Sequence, residues 1–336
     1  MTPSTTSTVA LVGSWADAVD RRRSVAAEIA VSWPTDRGRV SVFGPTNDEQ
    51  RAWLDHNHVK IWPEGAFGRH FTRDEFDHAV LMLGPRYESV LALAGSSDHG
   101  CHVWLQHDVV DVDDSPIDAP HDWLSDMIGV ARSVIVGSDW LAGVVRRIAP
   151  DGPPVLVMPP AHPVVDPIVE TPNRVVVVVG GDAEVRQYLS ESLAAEIVHL
   201  DDEMTPDVTE ARLLSARAGV EIRTHERGFA STTVTHMMAR GIPTITSLDA
   251  HAPFADALST AGLVVVEDSD DMLSSVVESL RPILDDDRAW LAASTAAKTT
   301  AASWTWNDAA GVLAEWIHVV DDLDPSTVRV IGAIAS

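Results

Sequence analysis

The sequence predicts an α/β protein built from two doubly wound domains. Strand-like and helix-like segments alternate from one end of the chain to the other, which is typical of parallel sheets covered by helices. A proline-dense stretch at 159–172 interrupts this alternation, which then restarts with a run of valines at 175–179. The length of 336 residues allows two hydrophobic cores of ordinary size.

The first half of the chain contains apolar runs of strand length that end at glycine, proline or polar residues. A helix at 16–31 is expected after the first run. Ser138 is expected to cap a second helix, because the apolar residues that follow it share one face. The predicted strands lie at 9–12, 39–43, 79–83, 102–105, 133–136 and 155–158.

The second half repeats this pattern. Helices are expected at 231–240 and 270–284, and the stretch at 289–319 has a helical pattern with tryptophans as anchors. The predicted strands lie at 175–179, 196–200, 219–222, 244–247 and 263–266.

These elements predict four regions. An N-terminal Rossmann-like domain would cover 1–160, a proline-rich hinge 161–172, and a C-terminal Rossmann-like domain 173–300. A helical segment at 301–336 would pack back on the N-terminal domain. Ligands of doubly wound sheets bind at the carboxyl ends of the strands, so two such domains facing across a cleft would hold ligands on both sides.

Composition narrows the classes of function. The formal charge of −26 argues against nucleic acid as a partner, because phosphate backbones are held by Lys and Arg. A nucleotide ligand needs only a local nest and a few cations, so it stays possible. The single Cys101 fits a reducing cytoplasm, and a cytoplasmic location is expected. The N-terminus lacks the pattern of a signal peptide, and no apolar run reaches the length of a membrane helix.

The segment 221–247 has the composition of an anion-binding site. It reads as a strand end, a polar loop with Gly228, a short helix capped by Ser231 or Thr232, and a second strand after a Gly-x-Pro break. Free backbone N–H groups and the positive end of the helix dipole would point at a ligand there. Arg223 and Arg227 could add charge-assisted hydrogen bonds to a phosphate.

Other candidate residues follow strands of the first half. Gly13 and Ser14 follow the first strand, where the missing Cβ allows close approach of a ligand. His107 follows the strand at 102–105 and could hydrogen-bond a sugar hydroxyl, while Asp108 would orient the loop. The acidic run at 108–114 is more typical of a solvated loop than of a metal site, and no metal is expected. Dinucleotide, P-loop and α/β-hydrolase motifs are absent from the sequence.

Several segments together resemble one known family, the GT-B-fold glycosyltransferases of the retaining family 4 type. The most specific is Arg223 with the run 228–243, which resembles the signature that holds the donor diphosphate. The run 103–108 resembles the strand end whose histidine faces the donor sugar. Further segments that carry the resemblance are 132–138, 155–160, 174–180, 262–273 and 303–306.

The resemblance implies an activity and a set of site residues. The chain would transfer a sugar from a nucleotide-diphosphate sugar of the UDP or GDP type to an acceptor hydroxyl, with retention, without metal and without a resident cofactor. His107 and Glu226 would be catalytic, and Gly13, Ser14 and Asp108 would lie on the acceptor side. The donor-binding residues would be Gly180, Gly181, Arg223, Gly228, Phe229, Ala230, Ser231 and Thr232.

The chain also departs from the family pattern. The family commonly has two glutamates seven residues apart, and alignment on Gly241-x-Pro243 places Gly228 and His236 at those positions. Gly180 and Gly181 stand where an Arg and a Lys usually follow the first strand of the C-terminal domain. These departures favour, as the alternative, a GT-B-shaped binding or assembly partner that has lost catalysis. A sugar-phosphate epimerase or phosphorylase on the same scaffold is a third option.

Overall fold

A computed structural model divides the chain into two compact units. Unit 1 comprises 1–17, 21–159 and 306–336, and unit 2 comprises 18–20 and 160–305. The structure describes residues 7–13, 24–44, 48–63, 66–71, 75–83, 100–105, 122–158, 161–163, 165, 168, 172–181, 183–200, 204–222, 232–246, 263–265, 271–302 and 304–322.

Unit 1 contains one parallel sheet in its described part. Its seven strands are β1 (Ser7–Val12), β2 (Gly38–Phe43), β3 (Lys60–Trp62), β4 (His78–Leu83), β5 (Gly100–Leu105), β6 (Ser133–Val136) and β7 (Val155–Val157), in the order β3-β2-β1-β4-β5-β6-β7. Its described helices are α1 (Val25–Val31), α2 (Asp48–His56), α3 (Phe67–Phe71), α4 (Asp122–Val130) and α5 (Asp139–Ile148). The strand order runs outward in both directions from β1 and β4, as in a doubly wound fold.

Unit 2 repeats this arrangement on a smaller scale. In the described residues its sheet has β8 (Val175–Gly180), β9 (Glu196–Leu200), β10 (Ala218–Ile222), β11 (Thr244–Thr246) and β12 (Leu263–Val265), all parallel, in the order β12-β11-β10-β8-β9. Its described helices are α6 (Ala183–Ser192), α7 (Pro206–Ser215), α8 (Thr232–Ala239), α9 (Met272–Asp285) and α10 (Asp287–Ala301). The last described helix of the chain, α11 (Trp306–Asp322), belongs to unit 1.

The cores of both units are formed by strands buried on both faces. Val176, Val177 and Val178 of β8 are each 0% exposed, as are Ala10, Leu11 and Val12 of β1. Continuous runs of β-branched residues in such strands are typical of parallel sheets with helices on both sides. The prediction of an α/β protein with two doubly wound parallel sheets is therefore confirmed.

Two predicted helices have different limits in the structure. The helix expected at 16–31 begins at Val25, because Ser24 has an extended conformation and its side chain accepts the N–H of Ala27. Residues 14–23 lie outside the described part. The helical region expected at 289–319 is two helices, since α10 ends at Ala301 and α11 begins at Trp306. The cap expected at Ser138 is confirmed by its hydrogen bond from the N–H of Leu141.

An arginine joins three elements of unit 2 at the amino end of β10. Arg217 is 5% exposed, and its guanidinium donates to the carbonyl oxygen of Ile283 at 2.9 Å and to Asp287 at 2.7 Å. The indole N–H of Trp290 donates to the carbonyl oxygen of Arg217 at 3.0 Å. These bonds tie the end of α9 and the start of α10 to the sheet, and they satisfy a buried charge that would otherwise be costly.

A buried polar cluster holds α11 against the amino ends of β4, β5 and β6 in unit 1. The indole N–H of Trp316 donates to Ser133 Oγ at 2.9 Å, and Ser133 Oγ lies 2.7 Å from Nδ1 of His102. Burial, together with the charge on nearby His78, lowers the pKa of His102 to about 3, so this ring is neutral. Ser133 Oγ therefore joins the indole N–H of Trp316 to the neutral ring of His102.

The same cluster ends in a carboxylate on α11. Asp321 lies 3.1 Å from Nε2 of His78 and 3.2 Å from Nε of Arg132. Partial burial works to raise the pKa of Asp321, but the hydrogen bond from His78 and the charges of His78 and Arg132 outweigh it, so the pKa is lowered. The polar groups at the amino ends of β4, β5 and β6 therefore bind α11.

Candidate functional site

The carboxyl edge of the second sheet has its reversal point between β8 and β10. From β8 the chain moves outward to β9, then crosses back to β10 on the other side and continues outward to β11 and β12. In open parallel sheets, ligands bind beside the strand ends at such a reversal. The residues at this point are Gly180 at the end of β8, Gly181 after it, and Ile222 at the end of β10.

Gly180 and Gly181 form a tight turn at this edge. Their φ angles are +69° and +70°, a left-handed backbone conformation that residues other than glycine rarely adopt. The N–H of Gly181 donates to the carbonyl oxygen of Ile222 at 3.0 Å, which joins the ends of β8 and β10. A Cβ at Gly181 would lie 3.1 Å from Cγ1 of Val185 in α6, so the turn also packs closely on the helix that follows.

A histidine from the neighbouring strand supports this turn. Nε2 of His199 in β9 lies 3.3 Å from the carbonyl oxygen of Gly180. A carbonyl oxygen only accepts, so the bond places a proton on Nε2. The sequence did not single out His199, because this bond depends on the pairing of β8 with β9 rather than on any local pattern.

Helix α8 is the next described helix after β10. It spans Thr232–Ala239, so its first-turn N–H groups lie at the carboxyl edge that β10 also reaches. The helix start predicted near Ser231 or Thr232 lies at Thr232, and its use as an anion site stays a prediction. The connecting segment lies outside the described residues, and with it six of the predicted site residues, namely Arg223, Glu226, Gly228, Phe229, Ala230 and Ser231.

The packing of α8 on the sheet fixes the position of its first turn. Gly219 of β10 faces Met237, whose Sδ would lie only 2.4 Å from a Cβ at Gly219, so the helix packs directly on the strand. At its other end, Gly241 has a φ of +78° and ends the helix as predicted. Arg240, 6% exposed, pairs with Glu210 at 2.5 Å and ties this end to α7.

A buried glutamate lies on β10, next to α8. Glu221 is 0% exposed in β10 and pairs in register with Thr246, which is also 0% exposed. It is on the same strand face as Gly219, the face that packs against α8. A buried acid close to a strand end is typical of functional sites. The sequence already contained this signal, because Glu221 interrupts an otherwise apolar strand.

His236 stands where the family pattern has its second glutamate. It is 2% exposed, and its ring centre lies 6.4 Å from that of His162 inside unit 2. This position therefore faces the interior of the unit.

The sheet of unit 1 has its own reversal point, between β1 and β4. Gly13 follows β1 there with a φ of +81°, and its N–H donates to the carbonyl oxygen of Phe43 at 2.8 Å. Strand β5, which ends at Leu105, lies next to β4. The other candidates predicted at this edge, Ser14, His107 and Asp108, lie outside the described residues. Of the three residues predicted on the acceptor side, Gly13 is the one that the structure describes, and it lies at the reversal point.

Within the described ranges, no group of three or more His, Cys, Asp or Glu side chains is arranged to hold a metal ion. None of the helices described is long and apolar enough to cross a membrane. The free Cys101 is buried, and burial raises the pKa of its thiol to about 12.

Comparison with known proteins identifies the fold. No protein-family model matches the chain, and no curated protein sequence matches it. Among solved structures, a glycosyltransferase from Rickettsia africae has a TM-score of 0.66 at 11% identity, over 95% of this chain and 100% of that one. Anabaena HepE in complex with UDP has a TM-score of 0.64 at 10% identity, over 93% and 100% of the two chains.

A third similar structure is sucrose-phosphate synthase from Thermosynechococcus elongatus. It has a TM-score of 0.63 at 11% identity, over 94% of this chain and 99% of that chain. The chain thus has the fold of GT-B glycosyltransferases over nearly its full length, which confirms the resemblance at the level of fold. The finer assignment to the retaining family 4 stays a prediction.

Proposed function

We propose that the protein is a glycosyltransferase that moves a sugar from a nucleotide-diphosphate sugar to an acceptor hydroxyl. The observation that carries this proposal is the left-handed Gly180-Gly181 turn bonded to Ile222 at the carboxyl edge of the second sheet, the edge at which α8 also begins. The left-handed turn ends β8 at the carboxyl edge of the sheet, and the helix start supplies free N–H groups of positive polarity. A diphosphate matches that combination of shape and charge.

The proposed site would act mainly on the leaving group. The acceptor oxygen forms the new bond to the anomeric carbon, and the bond to the diphosphate oxygen breaks with its electron pair going to the nucleoside diphosphate. The proton of the acceptor hydroxyl passes to the departing diphosphate oxygen. The growing negative charge would be held by the N–H groups of 228–232 and by Arg223. His107 would contact the donor sugar, and Glu226 would supply the carboxylate that Gly228 lacks.

The acceptor would bind in unit 1, where Gly13 lies at the reversal point with Ser14 and Asp108 nearby in sequence. Transfer with retention, without metal and without a resident cofactor belongs to the same proposal, as does a nucleotide of the UDP or GDP type. A cytoplasmic location is also proposed, supported by the single cysteine being a buried thiol.

Nucleotide binding is tested by thermal shift. UDP and GDP are titrated against the wild type, Arg223→Ala and Arg146→Ala. Arg146 is a matched control because it is an exposed arginine on α5 in unit 1. Stabilisation of the wild type and of the control, lost in Arg223→Ala, is expected. No shift with either nucleotide at millimolar concentration would contradict the proposal.

One observation favours a second candidate function, a GT-B-shaped binding or assembly partner without catalysis. His236, at the position of the second family glutamate, is 2% exposed and faces the interior of unit 2. UDP-glucose is the first donor to test, since HepE has been solved in complex with it. Mass spectrometry of the wild type with donors and an acceptor panel separates the two: transfer or donor hydrolysis supports the enzyme, and nucleotide binding with no donor consumed supports the partner.

A further inference from the structure

Both ring nitrogens of His162 face carbonyl oxygens. His162 lies just after the start of unit 2 and is 4% exposed. Its Nδ1 is 2.6 Å from the carbonyl oxygen of Pro163, and its Nε2 is 2.8 Å from the carbonyl oxygen of Ala301. A carbonyl oxygen has no proton to donate, so each contact is a hydrogen bond only if the nitrogen carries the proton.

A neutral imidazole has one N–H and can satisfy one of these contacts. The other nitrogen would then direct its lone pair at a carbonyl oxygen in a site that excludes water, which is unfavourable. The doubly protonated ring satisfies both. We infer that His162 is held as an imidazolium and acts as a proton-dependent clamp that fastens the beginning of unit 2 to the end of α10.

The position of Ala301 explains how a buried cation is tolerated. Ala301 is the last residue of α10, so its carbonyl oxygen belongs to the negative end of the helix dipole. Histidine cations at helix ends are stabilised by this field and by bonding the last carbonyl groups. The same oxygen also accepts the N–H of Trp304 at 2.9 Å, so the end of α10 receives two donors, this N–H and the ring of His162.

The charged and titratable groups on the described elements next to His162 include two basic side chains and one ion pair. Helix α8 presents His236, with ring centres 6.4 Å apart, and Arg240 follows that helix and pairs with Glu210. The last turn of α10 contributes Lys298. A second positive charge on His236 would repel the first, so the arrangement suits one cation, placed on the ring that has two carbonyl partners.

The clamp has a backbone part and a proton-dependent part. The N–H of His162 donates to the carbonyl oxygen of Trp304 at 2.9 Å, and His162 bridges Thr305 in parallel. Further along, the N–H of Ile168 donates to the carbonyl oxygen of Arg240 at 2.9 Å. Loss of one ring proton at higher pH would remove one side-chain bond and leave these backbone bonds, so the segment would loosen without unfolding of unit 2.

The first test is NMR of the full-length wild type labelled with ¹⁵N-histidine. Long-range ¹H–¹⁵N spectra report how many ring nitrogens carry a proton, and the His162 ring is assigned through its own backbone. His56 is the control, because it is an exposed histidine on α2. His162 is expected to keep both protons to a higher pH than His56. Loss of its second proton at the same or a lower pH would overturn the inference.

The second test compares thermal stability across pH. The wild type, His162→Gln and His56→Gln are melted between pH 6 and pH 9, on both sides of the ordinary histidine value of about 6.5. Gln keeps one N–H donor group but carries no charge. The deficit of His162→Gln is expected to be larger at pH 6 than at pH 9, by roughly 3 °C, with no such change for His56→Gln. An equal deficit at both pH values would overturn the inference.

Discussion

Replacing Gly181 by alanine tests the structural basis of the proposed site. Its φ of +70° is left-handed, which costs an alanine about 1–2 kcal/mol. The new Cβ would also lie 3.1 Å from Cγ1 of Val185, which is 7% exposed and has little room to move. In a domain of the size of unit 2, 1 kcal/mol corresponds to about 2–4 °C in Tm, so Gly181→Ala should lower the Tm of that unit by about 2–8 °C.

Two further variants make this experiment specific. Gly181→Asn should lose less stability than Gly181→Ala, because asparagine tolerates left-handed backbone. Gly311→Ala is the matched control, since Gly311 lies inside α11 and a Cβ there has no atom within 4 Å. It should be neutral or stabilising by up to about 1 kcal/mol. Wild-type stability of Gly181→Ala, with the control behaving as expected, would refute the requirement for a left-handed turn.

The remaining predictions concern stability and reactivity. Arg217→Met should lower the free energy of unfolding by about 1.5–3 kcal/mol in urea titrations, because it removes buried charged hydrogen bonds. Arg174→Met is the control, and it should cost less than about 1 kcal/mol because the Arg174 side chain is 42% exposed. Similar losses for the two variants would contradict the stabilising role given to Arg217. The pKa of Asp321 is lower in the folded state than in the unfolded state. Its contribution to stability is therefore present above its unfolded pKa and is lost as the pH falls through its folded pKa. Asp321→Asn should make the free energy of unfolding less dependent on pH in the acid range. Cys101 should resist iodoacetamide in the native state at pH 8, as followed by mass spectrometry, and rapid native labelling would contradict its burial.

The central strands could be predicted from the sequence because they are buried on both faces. Strand β6 has the predicted limits, Ser133–Val136, and all its residues are buried. Strand β3 was not predicted, since Lys60–Trp62 is a short edge strand that is partly exposed and gives no apolar run. The break between α10 and α11 was also missed. At this break the carbonyl oxygen of Trp304 accepts the N–H of His162, a contact between residues far apart in sequence.

The candidate site could be predicted only where its signal is local. Gly180 and Gly181 follow a valine run, and a helix start after a polar loop is visible in the sequence at Thr232. The supporting bond from His199 depends on strand register, and the burial of His236 depends on the packing of α8. Such contacts arise from tertiary structure, which local propensity does not encode.

Hydrogen exchange of the full-length protein with and without nucleotide tests the central claim most directly. Saturating UDP or GDP is predicted to slow exchange in two peptides together, one covering the turn at 180–186 and one covering 223–236. The amino ends of the strands, around His78 and Ser133, should not change. Protection only elsewhere, or no protection with either nucleotide, would contradict a diphosphate site at the carboxyl edge of the second sheet.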